Sequence, residues 1–307
     1  MSGWSIGIYT GDSPLRLQPG REGANPVLTA GDVTDFPAAF VADPFLLQAG
    51  GEWHMFFEVL RSEDRKGVIG WATSPDGLRW RYRRVVLEEP FHLSYPHVFV
   101  ADGEVYMTPE TLEPAALRLY RADPFPERWS YVQPLVEVRG ADPTPFRFQD
   151  RWWMFACTRA YEHDTLALYH AEELLGPWRE HPASPVVAWD ARAARPAGRV
   201  LLHEGKVIRF AQDCVPRYGT SVRAFEVTRL TMAEYGEAER PESPVLRPAG
   251  AGWNGQRMHH MDAHPLPGGR FIACVDGYRA EAEVEEAAPA DEPGTLVGGT
   301  YRPKEKP

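Results

Sequence analysis

Short apolar runs recur along the chain, and most of them end on an acidic residue. The five runs are WHMFFE (53–58), VYMTPE (105–110), WWMFACT (152–158), VIRFAQD (207–213) and FIACVD (271–276). A tight turn containing Gly or Asp precedes each run, and another short strand-like stretch precedes each turn. Strand, turn and strand in this order predict five β-hairpins.

The hairpins belong to a longer repeat. In the first three units a third strand-like stretch follows, and then a Trp that marks an outer strand; Trp80, Trp129 and Trp178 are spaced 49 residues apart. Repetition near 50 residues, with four strands per unit, is typical of a propeller. We therefore predict an all-β, five-bladed β-propeller with four-stranded antiparallel blades. A plain antiparallel sandwich with accidental spacing is the alternative.

The repeat also predicts where the domain begins and ends. The five units start near Asp43, Pro96, Asp142, Pro196 and His259. The fifth unit is short of outer strands, and we expect the N-terminal stretch GWSIGIYTG (3–11) to supply one and close the ring, which leaves few open sheet edges. The propeller is predicted over 1–279, and the acidic, Pro/Gly-rich segment 280–307 is predicted to be disordered.

Composition excludes several classes of function. The formal net charge of −10 disfavours nucleic-acid binding. The N-terminus has no signal-peptide pattern, and no segment approaches the ~20 apolar residues of a spanning helix, so we expect a cytoplasmic protein without membrane insertion. Three cysteines without metal-ligand spacing predict neither a disulfide scaffold nor a zinc site.

Acids recur where the second strands of the hairpins end. These residues are Glu58, Glu110, Asp213 and Asp276. In a propeller the inner strands line a central channel, so we expect these carboxyl groups to converge at one mouth of it. Carboxylates held together raise one another's pKa, and one site can then hold both a proton donor and a proton acceptor. Capping of turns at strand ends is the alternative role for each of them.

Two further acids share the motif ADP at the start of a unit's first strand. Asp43 and Asp142 occupy this position, and the following Pro is expected to hold each Asp in an extended conformation. Because the two positions match in register, we favour a function for them. A third ADP, at Asp123, precedes FPERW and is read as a turn.

Basic and aromatic residues lie near the same predicted mouth. Arg195 and Arg199 flank PAG where an inner strand should start, and Arg217 and Tyr218 follow in DCVPRYG. Guanidinium groups suit anions, so they predict either an anionic group on the substrate or neutralisation of Asp43, Asp142 and Asp213. Tyr218 is a candidate for stacking on a sugar ring, as are Trp53, Trp152 and Trp153.

Histidines cluster at the start of the fifth unit, in HHMDAH (259–264). His260, Asp262 and His264 alternate onto one face of a strand and could form a metal site. We favour sugar contacts for His259, His260 and, in the second unit, His97. No metal and no cofactor are predicted.

The motifs resemble two related families. ADPF with WHMFFE, ADPTPF with WWMF, and WATSPDGLRW (71–80) resemble the five-bladed furanosidase superfamily, which includes glycoside hydrolase family 43. WSIGIY (4–9), LSYPHVFVADGEVYMTPET (93–111), DTLALYHAEELLGPWREHP (164–182), ARPAGRV (194–200) and AQDCVPRYG (211–219) are similar to the N-terminal propeller of plant glucosamine inositolphosphorylceramide transferases and its stand-alone bacterial relatives. The plant proteins add a glycosyltransferase domain, for which this chain is too short, so transferase activity is not carried over.

The furanosidase resemblance implies roles for particular residues. Asp43 matches a first-blade base or nucleophile, and Asp142 matches a third-blade Asp that orients and tunes the pKa of its neighbours. The fourth-blade general acid of those enzymes is a Glu, whereas this chain has Arg195 in RPAGR. Glu110 or Asp213 is therefore expected to replace the missing acid.

Together these observations predict a carbohydrate-active enzyme that cleaves or transfers a glycosyl unit of an intracellular glycoconjugate or sugar metabolite. Asp43, Asp142, Glu110 and Asp213 are the predicted catalytic residues. The predicted substrate-binding residues are Glu58, His97, Arg195, Arg199, Arg217, Tyr218, His259, His260 and Asp276. The alternative is a non-catalytic sugar-binding propeller that acts with a separately encoded glycosyltransferase. A purely structural platform is disfavoured, because an unneeded cluster of charges costs stability.

Overall fold

The computed structural model describes residues 3–20 and 25–280. They form five antiparallel β-sheets arranged as a ring, and the predicted five-bladed β-propeller is confirmed. The segment 281–307, predicted to be a disordered tail, lies outside the described residues. Helical structure in the described part is limited to two short 3-10 turns, Ala30–Asp32 and Pro267–Gly269. No helix of these residues has the length and apolarity needed to cross a bilayer.

Each blade is one sheet of four or five strands. The first two strands, β1 (Gly3–Ser13) and β2 (Arg16–Pro19), belong to blade 5. Blade 1 contains β3 (Ala38–Ala49), β4 (Glu52–Arg61), β5 (Gly67–Ser74) and β6 (Arg81–Leu87). Blade 2 contains β7 (Ser94–Ala101), β8 (Glu104–Glu110), β9 (Leu117–Ala122) and β10 (Trp129–Val136).

The remaining blades follow in chain order. Blade 3 contains β11 (Ala141–Phe148), β12 (Arg151–Cys157), β13 (Thr165–Ala171), β14 (Arg179–Glu180) and β15 (Val187–Ala188). Blade 4 contains β16 (Arg195–Pro196), β17 (Leu201–His203), β18 (Lys206–Asp213), β19 (Ser221–Leu230) and β20 (Tyr235–Glu239). Blade 5 is completed by β21 (Met261–Pro265) and β22 (Phe271–Arg279).

The N-terminus closes the ring with two strands, one more than the sequence predicted. Strand β1 pairs with β22 from Gly3 opposite Arg279 to Gly11 opposite Phe271. The chain then turns back, and β2 pairs with β1 to form the outer edge of blade 5. The second strand was missed because RLQP (16–19) is too short and too polar to be recognised as a strand.

An apolar cluster fills the space between each pair of neighbouring blades. Between blades 1 and 2, for example, Phe45 and Phe56 pack with Tyr95 and Met107. Similar clusters join the other neighbours around the ring. Both faces of a blade are therefore buried, which explains why its inner strands read as continuous apolar runs.

The Trp residues that revealed the repeat close the turns before the outer strands. The indole N–H groups of Trp80, Trp129 and Trp178 donate to the carbonyls of Gly77, Pro126 and Leu174 respectively. By contrast, the three Trp residues proposed for sugar stacking are buried in the core, and that interpretation is wrong for them: Trp53, Trp152 and Trp153.

The inner strands of the first three blades carry the same bulge. Asp43, Tyr95 and Asp142 each precede a Pro, and their φ angles are +51°, +46° and +53°. At each of them the register with the next strand shifts. An extended conformation was predicted for the two Asp residues and is wrong, because the bulge inserts an extra residue and turns the backbone into the left-handed region.

Tyr95 uses this bulge to bridge three blades. Its hydroxyl accepts from the N–H of Gly198 at 2.8 Å and lies 2.8 Å from Oγ1 of Thr144. Gly198 has a φ of +126°, and a Cβ there would lie 1.8 Å from the carbonyl oxygen of Met261. A side chain is therefore excluded at residue 198, and the tyrosine hydroxyl is the partner of its buried N–H.

We expect Tyr95→Phe to lower the free energy of unfolding by about 1–3 kcal/mol, because it leaves the N–H of Gly198 buried and unsatisfied. Urea denaturation would measure the change. Tyr131→Phe in the same blade is the matched control, since Tyr131 is exposed. Equal stability of the two variants would contradict the bridging role of Tyr95.

Candidate active site at the channel mouth

The bulged positions gather at one end of the central channel. Asp43 and Asp142 lie there on blades 1 and 3, and Arg195 begins the inner strand of blade 4. The ladder partners show that the second strands end at the same place: Glu58 lies opposite Ala42 and Glu110 opposite Ser94, each beside its blade's bulge. The predicted convergence of acids at one mouth therefore holds for Glu58 and Glu110.

Arg195 is the centre of the blade 3 and 4 side of this mouth. Its Nε donates to Oδ2 of Asp142 at 2.6 Å, and its Nη2 donates to Oε2 of Glu110 at 3.0 Å and to Oδ1 of Asp142 at 3.5 Å. Its Nη1 contacts the Ala160 carbonyl and Nδ1 of His163, both at 3.0 Å. A guanidinium has five N–H donors, so contacts within the protein use all of them.

His163 is a neutral acceptor in this arrangement. Burial lowers the pKa of His163 to about 4, and the nearby charge of Arg195 adds to the effect. Its neutral imidazole can then accept from the guanidinium. Its ring also lies 5.0 Å from that of Tyr218, and the guanidinium carbon of Arg195 lies 5.1 Å from the Tyr218 ring. Tyr218 therefore packs against Arg195, at the mouth where the sequence placed it.

Asp142 is buried and sits between a cation and another acid. Besides Arg195, its Oδ2 accepts from Nε2 of Gln212 at 2.9 Å. Burial raises the pKa of Asp142 to about 7; Arg195 lowers it and Glu110 raises it. Asp142 therefore changes charge near neutral pH. Gln212 was missed by the sequence analysis, which selected its neighbour Asp213 instead.

Asp43 has a different environment on the opposite side of the mouth. Its Oδ1 lies 3.5 Å from Nε2 of His259 and 3.9 Å from Nδ1 of His260, and it has no hydrogen-bond partner among the described residues. Burial raises the pKa of Asp43 well above its ordinary value, His259 lowers it, and neighbouring carboxyl groups raise it further. One of those carboxyl groups is Asp142.

Asp276 organises the histidines beside Asp43. Its carboxylate accepts from the backbone N–H groups of Asp43, His259 and His260 at 3.0–3.2 Å, and lies 2.7 Å from Nδ1 of His259. Burial alone would raise the pKa of Asp276, but His259 holds it below its ordinary value. Burial correspondingly opposes the charged form of His259, but Asp276 raises the pKa of His259 above its ordinary value. The two residues form a buried ion pair.

Trp4 completes the wall behind this pair. Its ring stacks on that of His259 with centroids 4.0 Å apart. His260 points its Nε2 to the carbonyl of Pro44 at 2.9 Å, and burial lowers its pKa to about 4. His260 is therefore neutral, and its Nδ1 has no hydrogen-bond partner in the described part of the chain.

Glu58 has a partner that the sequence analysis did not select. Nε2 of His92 lies 3.2 Å from Oε1 of Glu58, while the N–H of Gly67 donates to its Nδ1 at 2.9 Å. Because Nδ1 of His92 accepts from Gly67, the ring proton is on Nε2, and His92 donates to Glu58. His92 lies only three residues before the bulge of blade 2, but its own segment carries no motif.

Several predicted site residues lie away from these contacts. Asp213 accepts from the N–H of Val215 and pairs with Arg192 and Arg223. Arg199 lies within the channel, where its Nε donates to Asp262 at 2.7 Å. His97 is buried, and Arg217 is exposed. The functional roles assigned to these residues remain predictions.

Two groups could be considered for a metal ion. Asp43, His259 and Asp276 each offer a ligand atom within 4.8 Å of the others. Asp276, however, already accepts three backbone N–H groups, which is the pattern of an orienting carboxylate. In the group suggested by sequence, Asp262 binds Arg199 and also lies 2.9 Å from Nε2 of His264. Hydrogen bonds within the protein thus occupy Asp276 and Asp262, whereas among the described residues Oδ1 of Asp43 in the first group and Nδ1 of His260 in the second have no hydrogen-bond partner.

Comparison with known sequences assigns the chain to a family. Residues 1–278 match the family described as glucosamine inositolphosphorylceramide transferase 1, N-terminal. The chain belongs to this family. Glucosamine inositolphosphorylceramide transferase 1 of Oryza sativa subsp. japonica is 38% identical over 299 residues, which cover 90% of this chain and 40% of that protein.

The protein of the same name from Arabidopsis thaliana is 35% identical over 297 residues, covering 90% of this chain and 39% of that protein. The chain therefore spans about two fifths of the length of these relatives. Among solved structures, a thermostable family-43 glycoside hydrolase matches with a TM-score of 0.60 at 14% identity, over 90% of this chain and 100% of that one. At this identity the likeness shows the fold alone.

The pKa of Asp142 gives a testable dependence of stability on pH. Between the ordinary Asp value of 3.8 and about 7, the folded protein keeps Asp142 protonated while the unfolded chain ionises it. Rising pH in this window therefore favours unfolding. We expect Asp142→Asn to gain stability relative to the wild type between pH 5 and 7, by up to about 1.4 kcal/mol per pH unit.

Urea denaturation at pH 5, 6, 7 and 8 would measure this difference. Asp150→Asn is the matched control, because Asp150 is exposed in the same blade and shares the left-handed backbone of Asp142. Parallel pH profiles for wild type and Asp142→Asn would show that Asp142 is already ionised in the folded protein at pH 5.

Proposed function

We propose that this propeller binds a glycosyl group at the channel mouth and catalyses its cleavage or transfer. Membership of a family named for a glucosamine transferase supports a role with sugars. The propeller fold shared with a family-43 glycoside hydrolase is consistent with this role. The substrate class we propose is a glycoconjugate or sugar metabolite inside the cell.

The observation that carries the proposal is the environment of Asp43. This carboxyl group is buried and held by a bulge in left-handed backbone, and its Oδ1 has no hydrogen-bond partner among the described residues. A buried polar atom without a partner costs stability, and such atoms cluster where a ligand supplies the missing contact. Asp43 is therefore the group we expect to meet the substrate.

The acids of the mouth divide into two sets with different chemistry. Asp142 and Glu110 share Arg195, so protein contacts already fix both of them. Asp43 has no guanidinium partner among the described residues, and burial raises its pKa well above the ordinary value, which favours the protonated form. We therefore assign proton transfer to Asp43: it donates its proton to the leaving oxygen as the glycosidic C–O bond breaks, the glycosyl carbon bonds to water or to an acceptor hydroxyl, and the proton released from that oxygen returns to Asp43. Asp142 and Glu110 position the sugar and set the charge of the site.

The mouth is better suited to a ligand that donates hydrogen bonds than to an anion. All five donors of Arg195 are occupied, whereas Oδ1 of Asp43 has no hydrogen-bond partner among the described residues and can accept one. A sugar hydroxyl or a protonated amine would complement it. Glucosamine, which the relatives' names contain, carries such an amine.

We expect Asp43→Asn to reduce turnover by about 10²–10⁴-fold, the range for loss of a proton-transfer group, while leaving the fold intact. A panel of 4-nitrophenyl glycosides that includes the glucosaminide would be assayed, with thermal melting on the same samples. Asp102→Asn is the matched control, because Asp102 is exposed but has a similar left-handed φ of +50°. Full activity of a folded Asp43→Asn variant would remove Asp43 from the mechanism.

A sugar-binding domain that acts with a separate glycosyltransferase is the second candidate. The occupied Arg195, at the position where the related hydrolases are expected to carry a Glu, favours it. The relatives' names describe transferases of which this chain spans about two fifths. Saturable binding of glucosamine without turnover of any glycoside in the panel, with Asp43→Asn weakening that binding, would support this candidate over catalysis.

A further inference from the structure

Two exposed aromatic side chains lie on neighbouring loops of blade 3. Tyr161 is 74% exposed and Trp189 is 76% exposed. The next most exposed large aromatic side chain among the described residues is Tyr131, on an outer strand of blade 2, at 45%. The mechanism assigned above uses neither Tyr161 nor Trp189.

The loops that carry both residues are connected to the site. Tyr161 directly follows Ala160, whose carbonyl accepts from Arg195. Trp189 directly follows β15, whose Ala188 pairs with Thr165 at the start of β13. The N–H of Asp190 donates to the carbonyl of Asp164 at 3.0 Å and ties the two loops together.

The position of Trp189 relative to the channel follows from the ladder of blade 3. Ala141 pairs with Cys157, Cys157 with Leu166, and Leu166 with Val187. Trp189 therefore leaves the sheet on the edge that carries Asp142, three strand spacings away, which is about 14 Å. A saccharide of more than one ring would be needed to contact both places.

The Trp189 side chain is held in place in spite of its exposure. Its φ is +62°, a left-handed conformation that is rare for a bulky residue and costs of order 1–3 kcal/mol. The guanidinium of Arg159 lies 4.2 Å from the ring centroid on one face. Glu162 and Asp164 hold Arg159, each at 3.6 Å. One indole face is thus covered and oriented, and the other is open.

We propose that Trp189, with Tyr161 on the neighbouring loop, is an outer subsite that stacks a sugar ring of an extended saccharide. The C–H face of a pyranose carries partial positive charge and packs on the negative face of an indole. The surroundings are charged rather than apolar, with Arg159, Glu162 and Asp190 on the same loops, and such groups suit sugar hydroxyls better than a lipid surface. The subsite extends the proposed function and rests on it, since a saccharide with one ring at the channel mouth would place a further ring on Trp189.

Fluorine NMR of protein labelled with 5-fluorotryptophan tests the subsite directly. The Trp189 resonance is assigned by its loss in Trp189→Phe. The probes are cellotriose, maltotriose and mannotriose, each compared with its monosaccharide, followed by an array of immobilised oligosaccharides. We expect at least one trisaccharide to shift the Trp189 resonance, and its monosaccharide to shift it far less at equal concentration.

Variants then measure the contribution of the ring. Trp189→Ala and Trp189→Asn should each weaken binding of that trisaccharide by about tenfold, a loss of about 1.4 kcal/mol. Asn tolerates left-handed backbone, so agreement between the two variants excludes a strained loop as the cause. Tyr131→Ala is the control and should bind as the wild type does.

The outcomes separate this proposal from the proposed function. If the Trp189 resonance shifts equally in Asp43→Asn but no glycoside is turned over, the subsite stands and catalysis fails. If glycosides are turned over while every saccharide leaves the Trp189 resonance unchanged, catalysis stands and the subsite is overturned. A response to lipid vesicles but not to saccharides would also overturn it.

Discussion

The side chain of Arg195 determines how the mouth of this propeller is built. It starts on blade 4 and reaches Glu110 on blade 2 and Asp142 on blade 3. A buried guanidinium is tolerated only when every donor has a partner, and here the partners come from blades 2 and 3 and from the loop that carries Ala160 and His163. Removing any one of them would leave an uncompensated charge, so the three blades are fixed relative to one another at this end.

The opposite side of the mouth uses a different device. Here the central group is the carboxylate of Asp276, which accepts from backbone N–H groups and pairs with His259. These contacts fix the bulge that presents Asp43. The strain of a left-handed Asp is thus compensated by a buried carboxylate that accepts its N–H. Both halves hold an Asp at the same register, but one Asp is fully bonded and the other keeps an oxygen free. Because of this difference, a ligand can form a new hydrogen bond with Asp43 but not with Asp142.

The sequence predicted what depends on local periodicity. Hairpins, blade number and the placement of Glu58 and Glu110 beside the bulges of their blades follow from a repeat in which equivalent residues take equivalent places. It did not predict contacts made across the channel, such as those of Gln212, His92 and Tyr95, because their partners are distant in sequence. Nor could it separate exposed from buried indoles: Trp53 looked suited to a sugar and is core, whereas Trp189 has no motif and is open.

The ionic balance of the mouth limits which chemistry it can perform. In the pattern implied by the resemblance to the furanosidases, a fourth-blade Glu would supply the proton. Here Arg195 occupies that place and pairs with Asp142 and Glu110. The proposed proton transfer therefore depends on a carboxyl group that Arg195 does not reach. Asp43 suits that role because burial raises its pKa, which favours the form that can donate a proton, and because no hydrogen bond within the described residues competes for Oδ1. An anionic substrate would need a cation other than Arg195, whose donors are occupied. Arg217 is exposed and lies outside this network.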